Sequence, residues 1–174
     1  LAPHFHLSVQ SGDDMILKRM KRRHARRDTI RFCEEVLRLR PDVAFGADFI
    51  AGFPTETEAM FDNSLALVED AGLTYLHVFP FSPRKGTPAA RMPQVPKPMV
   101  KERAARLRQK GAAALAGRLR TLVGTEQLLH MEQEDFGRTA CFAPVQVSGS
   151  TAPGVFVRVR VTDATDTHLV ASLA

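Results

Sequence analysis

The sequence holds only two cysteines, Cys33 and Cys141, in 174 residues. Two thiols cannot build a disulfide framework, and they are too few for a metal or iron–sulfur site. Both read as small buried apolar side chains in a protein of the reducing cytoplasm. There is no apolar run of the roughly 18 residues that a membrane helix needs, so no bilayer span is expected. The first six residues, Leu1 to His6, lack the basic and apolar blocks of a secretory leader. They also lack an initiating Met, which suggests a chain cut from something longer. No internal repeat is visible.

Charge, by contrast, is plentiful and unevenly spread. Residues 1–120 carry 21 Lys and Arg against 13 Asp and Glu, whereas residues 121–174 carry 3 against 6. A polyanion such as RNA would dock on the first two thirds. The densest stretch is 18–27, with seven Lys or Arg in ten residues, and it is expected to present charge on both faces of a helix.

The hydrophobic pattern divides the chain. Phe5–Val9 alternates and predicts a strand, followed by a helix capped by Asp13 or Asp14. Asp28 is expected to cap a second helix, with Ile30, Cys33 and Leu37 on its buried face and Arg40-Pro41 at its end. Residues 43–51 are apolar with little alternation, as in a parallel strand buried on both faces. The turn 52–57 leads into a helix with Phe61, Leu65 and Val68 inward, stopped at Gly72. Tyr75–Phe79 is the next strand. This β-α-β-α-β order predicts parallel strands with right-handed crossovers. Helices on one side only would leave the other sheet face apolar and uncovered, to be completed by something outside this sequence.

Six of the eleven prolines fall in residues 80–98, which predicts a stiff extended connection. A basic helix from about Met99 to Leu122 follows, with Val100, Ala104, Leu107 and Gly111 inward and Lys101, Arg103, Arg106, Arg108 and Lys110 covering the rest. After Gly124 the period changes to two. Short strands are expected at 125–133, 139–147, 155–161 and 168–173, forming a small antiparallel barrel.

Three turns are expected at one rim, where α/β folds bind ligands: Gln10-Ser11-Gly12, Gly52-Phe53-Pro54-Thr55-Glu56-Thr57 and Ser82-Pro83-Arg84-Lys85-Gly86-Thr87-Pro88. Gly52 offers close backbone approach and the following helix offers free N–H groups. In the tail, Arg158 and Arg160 alternate with valines, so one strand face presents two cations.

Four ordered strings, 6–14, 17–22, 48–57 and 81–89, together with Gln94-Val95-Pro96, resemble the radical S-adenosylmethionine (SAM) RNA methylthiotransferases. The detail around His77-Val78-Phe79-Pro80 is most similar to the branch acting on N6-threonylcarbamoyladenosine in tRNA. The resemblance implies an α/β fold: residues 1–97 as the C-terminal part of a partial (β/α) radical-SAM barrel, 98–120 as a basic connecting helix, and 121–174 as a TRAM-like RNA-binding β-barrel. It implies SAM as cofactor, 4Fe-4S clusters in the full-length enzyme, and tRNA as partner. The reaction it implies uses a 5′-deoxyadenosyl radical to remove hydrogen from C2 of the adenine. Sulfur is inserted there, and a second SAM methylates it. By position, Gln10, Ser11, Gly52 and Glu56 would line the SAM site, Arg22 would pair with the SAM carboxylate, and the backbone about Phe79 would meet adenine. Arg84, Lys85, Arg158 and Arg160 would contact RNA. The family's Cys-x-x-x-Cys-x-x-Cys motif and N-terminal domain are absent, so the chain alone is expected to be inactive and to depend on a missing N-terminal part. Three alternatives stand beside this reading: a methylthiotransferase acting on a ribosomal protein, a stand-alone RNA-binding module, and an unrelated α/β protein whose turns match by chance.

Overall fold

The computed structural model describes residues 2–174 and contains two compact units. The first comprises His6–Pro41 and Phe45–Gly111; the second comprises Ala112–Ala174, Asp42–Ala44 and the described residues before His6. The division falls inside the long basic helix.

The first unit is built on a three-stranded sheet of order β1-β2-β3, where β1 is His4–Gln10, β2 Ala44–Ala51 and β3 Leu73–Pro80. β2 and β3 pair in parallel. Asp13 caps α1 (Asp14–Arg19) by accepting from Met15 N and Ile16 N, both at 3.0 Å. The second helix, α2 (Arg26–Leu39), starts before Asp28. Asp28 therefore occupies the third helical position and accepts from Ala25 N at 2.8 Å. This is one half of a capping box, since Ala25 has no side-chain acceptor. The buried stripe of α2 runs through Thr29 and Cys33, and Leu37 is exposed.

The 18–27 basic stretch is not one helix. It spans the end of α1, a turn with Lys21 at φ 58°, and the start of α2. Its cations accordingly point different ways. Arg19 donates to Thr55 Oγ1 at 2.7 Å, and Arg26 pairs with Asp70.

Helix α3 (Glu58–Asp70) is capped by Thr57 and buries Phe61, Ser64, Leu67 and Val68; Leu65 is only half-buried. Gly72 follows its C-cap at φ 61°, a conformation that costs glycine little. The proline-rich connection contains one short 3-10 turn, Ala89–Arg91, and then α4 (Lys97–Arg120) begins. Within this unit α4 packs tightly: a Cβ on Gly111 would lie 2.9 Å from Leu76 of β3.

The second unit carries a closed barrel of order β4-β5-β6-β8-β7. Its strands are β4 Glu126–Met131, β5 Phe136–Thr139, β6 Pro144–Ser148, β7 Phe156–Ala164 and β8 Leu169–Leu173. Two expectations are corrected. The 139–147 segment is not one strand, because Thr139 Oγ1 accepts from Ala143 N and Phe142 adopts φ 68°, reversing the chain between β5 and β6. The barrel is also not wholly antiparallel, since β6 and β8 pair in parallel. Leu129, Met131, Val145, Val159 and Leu169 fill its interior.

Candidate functional site

One face of the β1-β2-β3 sheet lies under the helices and the other is open. Strand periodicity and the pairings Gly46↔Tyr75, Asp48↔His77 and Ile50↔Phe79 set these residues on the open face, with His6 and Gln10 of β1 beside them. The face is uncovered, as the sequence suggested, but it is not apolar. A carboxylate and two imidazoles stand at its centre. His6 Nε2 is 2.8 Å from Asp48 Oδ1, and His77 Nδ1 is 3.3 Å from the same oxygen.

At the C-terminal ends of the strands this face opens into a concavity of about 470 Å³ bordered by Gln10, Asp48, Ile50, Phe79 and Arg84. An adjoining depression of about 330 Å³ shares Ile50, Thr87 and Ala89 with it and is bordered by Arg22. Four of the residues expected from sequence therefore surround one rim: Gln10, Arg22, Phe79 and Arg84. Gln10 reaches it from a left-handed backbone, φ 71°. Phe79 is 53% exposed, an unusual position for a large apolar ring. Among the described residues, neither the Arg22 nor the Arg84 guanidinium has a side-chain partner. Lys85 sits beside Arg84 on the exposed turn and does not border the concavity.

Ser11, Gly52 and Glu56 have other duties. Ser11 is buried, accepts from Asp13 N at 3.2 Å and lies 3.4 Å from Ser64 Oγ. Gly52 adopts φ 74°, and a Cβ there would lie 2.6 Å from Val100 Cγ2, so its side is filled by α4 and gives no room to a ligand. Glu56 Oε1 accepts from Gly52 N at 3.0 Å and from Arg103 Nη1 at 2.9 Å. Arg103 also donates to the Glu56 carbonyl and to Glu58. Both partners of this ion pair are buried, with side chains 1% and 2% exposed. Burial pushes the Glu56 carboxyl above its usual range, while the Arg103 guanidinium and the Gly52 N–H pull it back. The expectation that Arg103 covers the outside of α4 is thus overturned: a guanidinium that satisfies a buried carboxylate is worth desolvating. Its charge and that of Arg106 also lie over the Phe61 ring, at 5.5 and 4.8 Å.

On the barrel, Arg158 and Arg160 share the exposed face of β7, as expected. They differ in availability. Arg160 pairs with Glu126 at 2.9 Å, whereas the Arg158 guanidinium has no partner among the described residues. The two thiols do not fit an iron–sulfur cluster. Cys33 is buried on the inner face of α2 and its pKa is pushed up to about 11 by burial, with Glu34 adding to it; Cys141 is buried in the β5–β6 turn. No helix among the described residues is long and apolar enough to cross a membrane.

Sequence reasoning missed His6, Asp48, His77 and Arg103. A signal existed for the first three: His6 stands on the polar alternate set of β1, and Asp48 and His77 are polar residues in strands that are otherwise mostly apolar.

Residues 2–68 match the model of the radical SAM superfamily. The chain is 54% identical, over 88% of its length, to a threonylcarbamoyladenosine tRNA methylthiotransferase of Rickettsia prowazekii, of which it spans 37%. It is 41% identical, over 73% of its length, to a protein of the same description from Thermotoga maritima, spanning 30% of it. It is 39% identical, over 98% of its length, to a tRNA-2-methylthio-N(6)-dimethylallyladenosine synthase of Mycobacterium marinum, spanning 35% of it. The chain thus corresponds to about a third of each relative, and over most of its length it is similar to tRNA methylthiotransferases, with a radical SAM match in its first 68 residues.

Proposed function

We propose that the chain is the C-terminal portion of a tRNA methylthiotransferase that adds a methylthio group to C2 of N6-threonylcarbamoyladenosine next to the anticodon. The observation that carries this reading is the 54% identity to a relative described as acting on that nucleoside, against 39% to one described by the dimethylallyl nucleoside. The open concavity suits a purine: Phe79 offers a ring for base stacking, Gln10 an amide for a base edge, and Arg84 a guanidinium for a carboxylate or phosphate. Arg22 stands at the adjoining depression, where it suits the carboxylate of SAM. In the second unit, Arg158 offers an unpaired cation to the RNA backbone, and small β-barrels are common binders of oligonucleotides.

Bound SAM supplies the radical and the methyl group of this reaction. The thiolates that would hold its cluster belong to a part of the protein outside these residues. The chain's own contribution is to shape one wall of the site, to orient the base and to hold the RNA; alone it carries no cluster and no activity.

The test uses the longer protein that contains the cluster cysteines, reconstituted with iron and sulfide without oxygen and supplied with SAM and a reductant. It is offered tRNA bearing threonylcarbamoyladenosine, tRNA bearing dimethylallyladenosine, and ribosomal protein, and the products are read by mass spectrometry. A methylthio group on the first substrate alone is expected, with Phe79→Ala slowing turnover. Modification of the dimethylallyl tRNA or of ribosomal protein would move the chain to another branch. RNA binding with no product on any substrate would make it a binding module.

A further inference from the structure

We propose that His6, Asp48 and His77 form a binding site for a divalent transition-metal ion on the open face of the β1-β2-β3 sheet. This goes beyond the proposed function and does not depend on it.

The three side chains come from three adjacent strands. Asp48 and His77 are direct partners in the β2–β3 register, and His6 reaches Asp48 from β1. Their ligand atoms all lie within 4.8 Å of one another. Both imidazole nitrogens approach the same carboxylate oxygen, at 2.8 and 3.3 Å. Bonds of about 2.0–2.2 Å to a zinc-like ion place neighbouring ligand atoms about 3.3 Å apart in a tetrahedron, so a small outward movement of His6 admits the ion. Two imidazoles and one carboxylate suit zinc, cobalt, nickel or ferrous iron, and three protein ligands leave a position open.

Two further features shape the site. Glycine at position 46 is required by the His6 ring, because a Cβ there would come within 2.5 Å of His6 Nδ1. The two imidazoles lie side by side, with ring centroids 4.6 Å apart and planes inclined at 37°. The His77 side chain is 64% exposed and Asp48 borders the concavity, so the open coordination position faces the space beside Gln10 and Phe79. Ligation needs a lone pair on each of these nitrogens, so an ion entering here would take the place of any proton between them and the Asp48 oxygen.

The test titrates the purified 174-residue chain with Co²⁺ at pH 7.5, following visible absorption, and then displaces the cobalt with Zn²⁺. Binding of one ion per chain at micromolar concentration is expected, with Asp48→Asn and His77→Gln each weakening it at least tenfold. His168→Gln, a barrel variant, should bind as the parent does. Far-UV circular dichroism of each variant shows whether it is folded. If Asp48→Asn does not fold, His77→Gln, whose side chain is mostly exposed, decides the matter. Absence of binding below millimolar cobalt, or binding that folded Asp48→Asn or His77→Gln leaves unchanged, overturns the proposal and leaves two imidazoles set against a carboxylate.

Discussion

Replacing Arg103 by Met is the most severe single perturbation that the first unit offers at this position. The guanidinium is 2% exposed and donates to the Glu56 carboxylate, to the Glu56 carbonyl and to Glu58. Methionine matches its volume but leaves the Glu56 charge buried with only the Gly52 N–H to stabilise it. Removing one partner of a buried ion pair costs about 3–5 kcal/mol. The loss is expected to depend on pH. Without Arg103, burial raises the Glu56 carboxyl further, so the folded chain holds a proton that the unfolded chain releases near pH 4.3. The penalty is therefore largest at neutral pH and shrinks as the pH falls toward that value. The double variant Glu56→Gln/Arg103→Met removes both charges, and the glutamine oxygen still accepts from Gly52. It should recover at least half of the loss. Urea unfolding followed by circular dichroism at pH 7.5 and pH 5 measures all of this; the sequence has no Trp, so fluorescence is a poor reporter. A single variant within about 0.5 kcal/mol of the parent, the range of ordinary surface changes, would refute the reasoning. So would a penalty equal at both pH values.

Other outcomes follow from the same geometry. Gly52→Ala should destabilise by about 1–2 kcal/mol from its left-handed backbone alone, and by more from its clash with Val100; Val100→Ala in the same chain should restore only the clash component in urea unfolding. Cys33 should resist a thiol-specific reagent at pH 8 until the chain is unfolded. Its raised pKa, about 11 against 9.0, makes stability fall as pH rises through that interval, by up to about 3 kcal/mol, and Cys33→Ala should abolish this alkaline loss. Arg158→Ala should weaken RNA binding and lower its salt slope by about 1, whereas Arg160→Ala, which breaks a pair with Glu126, should change the slope less.

Local pattern made much of the fold legible in the sequence. Period-two alternation located β1 and most of the barrel, Asp13 marked the first helix start, and Gly72 marked the end of α3. The failures share a cause, which is contact between distant residues or a turn without its usual residues. Arg103 looked like a solvated helix cation because its partner Glu56 lies 47 residues away. The reversal between β5 and β6 is hidden inside the expected 139–147 strand because Ala140-Cys141-Phe142-Ala143 contains no Gly or Pro; it rests on Thr139 bonding back to Ala143, and Phe136 and Gly137, which looked like a turn, begin β5. Asp48 was read within an apolar strand buried on both faces, although a single carboxylate in such a run marks an open face. At the site, the strand-end motifs located the rim, but motif position could not distinguish Gln10 and Phe79, which border the concavity, from Ser11 and Glu56, which hold the turns together.

The most direct test of the proposed function is made in the organism that carries this gene. The gene is deleted, total tRNA is digested, and the nucleosides are separated and identified by mass spectrometry. The account predicts that 2-methylthio-N6-threonylcarbamoyladenosine disappears, its unmethylthiolated precursor accumulates, and the dimethylallyl counterpart is untouched. Persistence of the threonylcarbamoyl product, or loss of the dimethylallyl one instead, would contradict it.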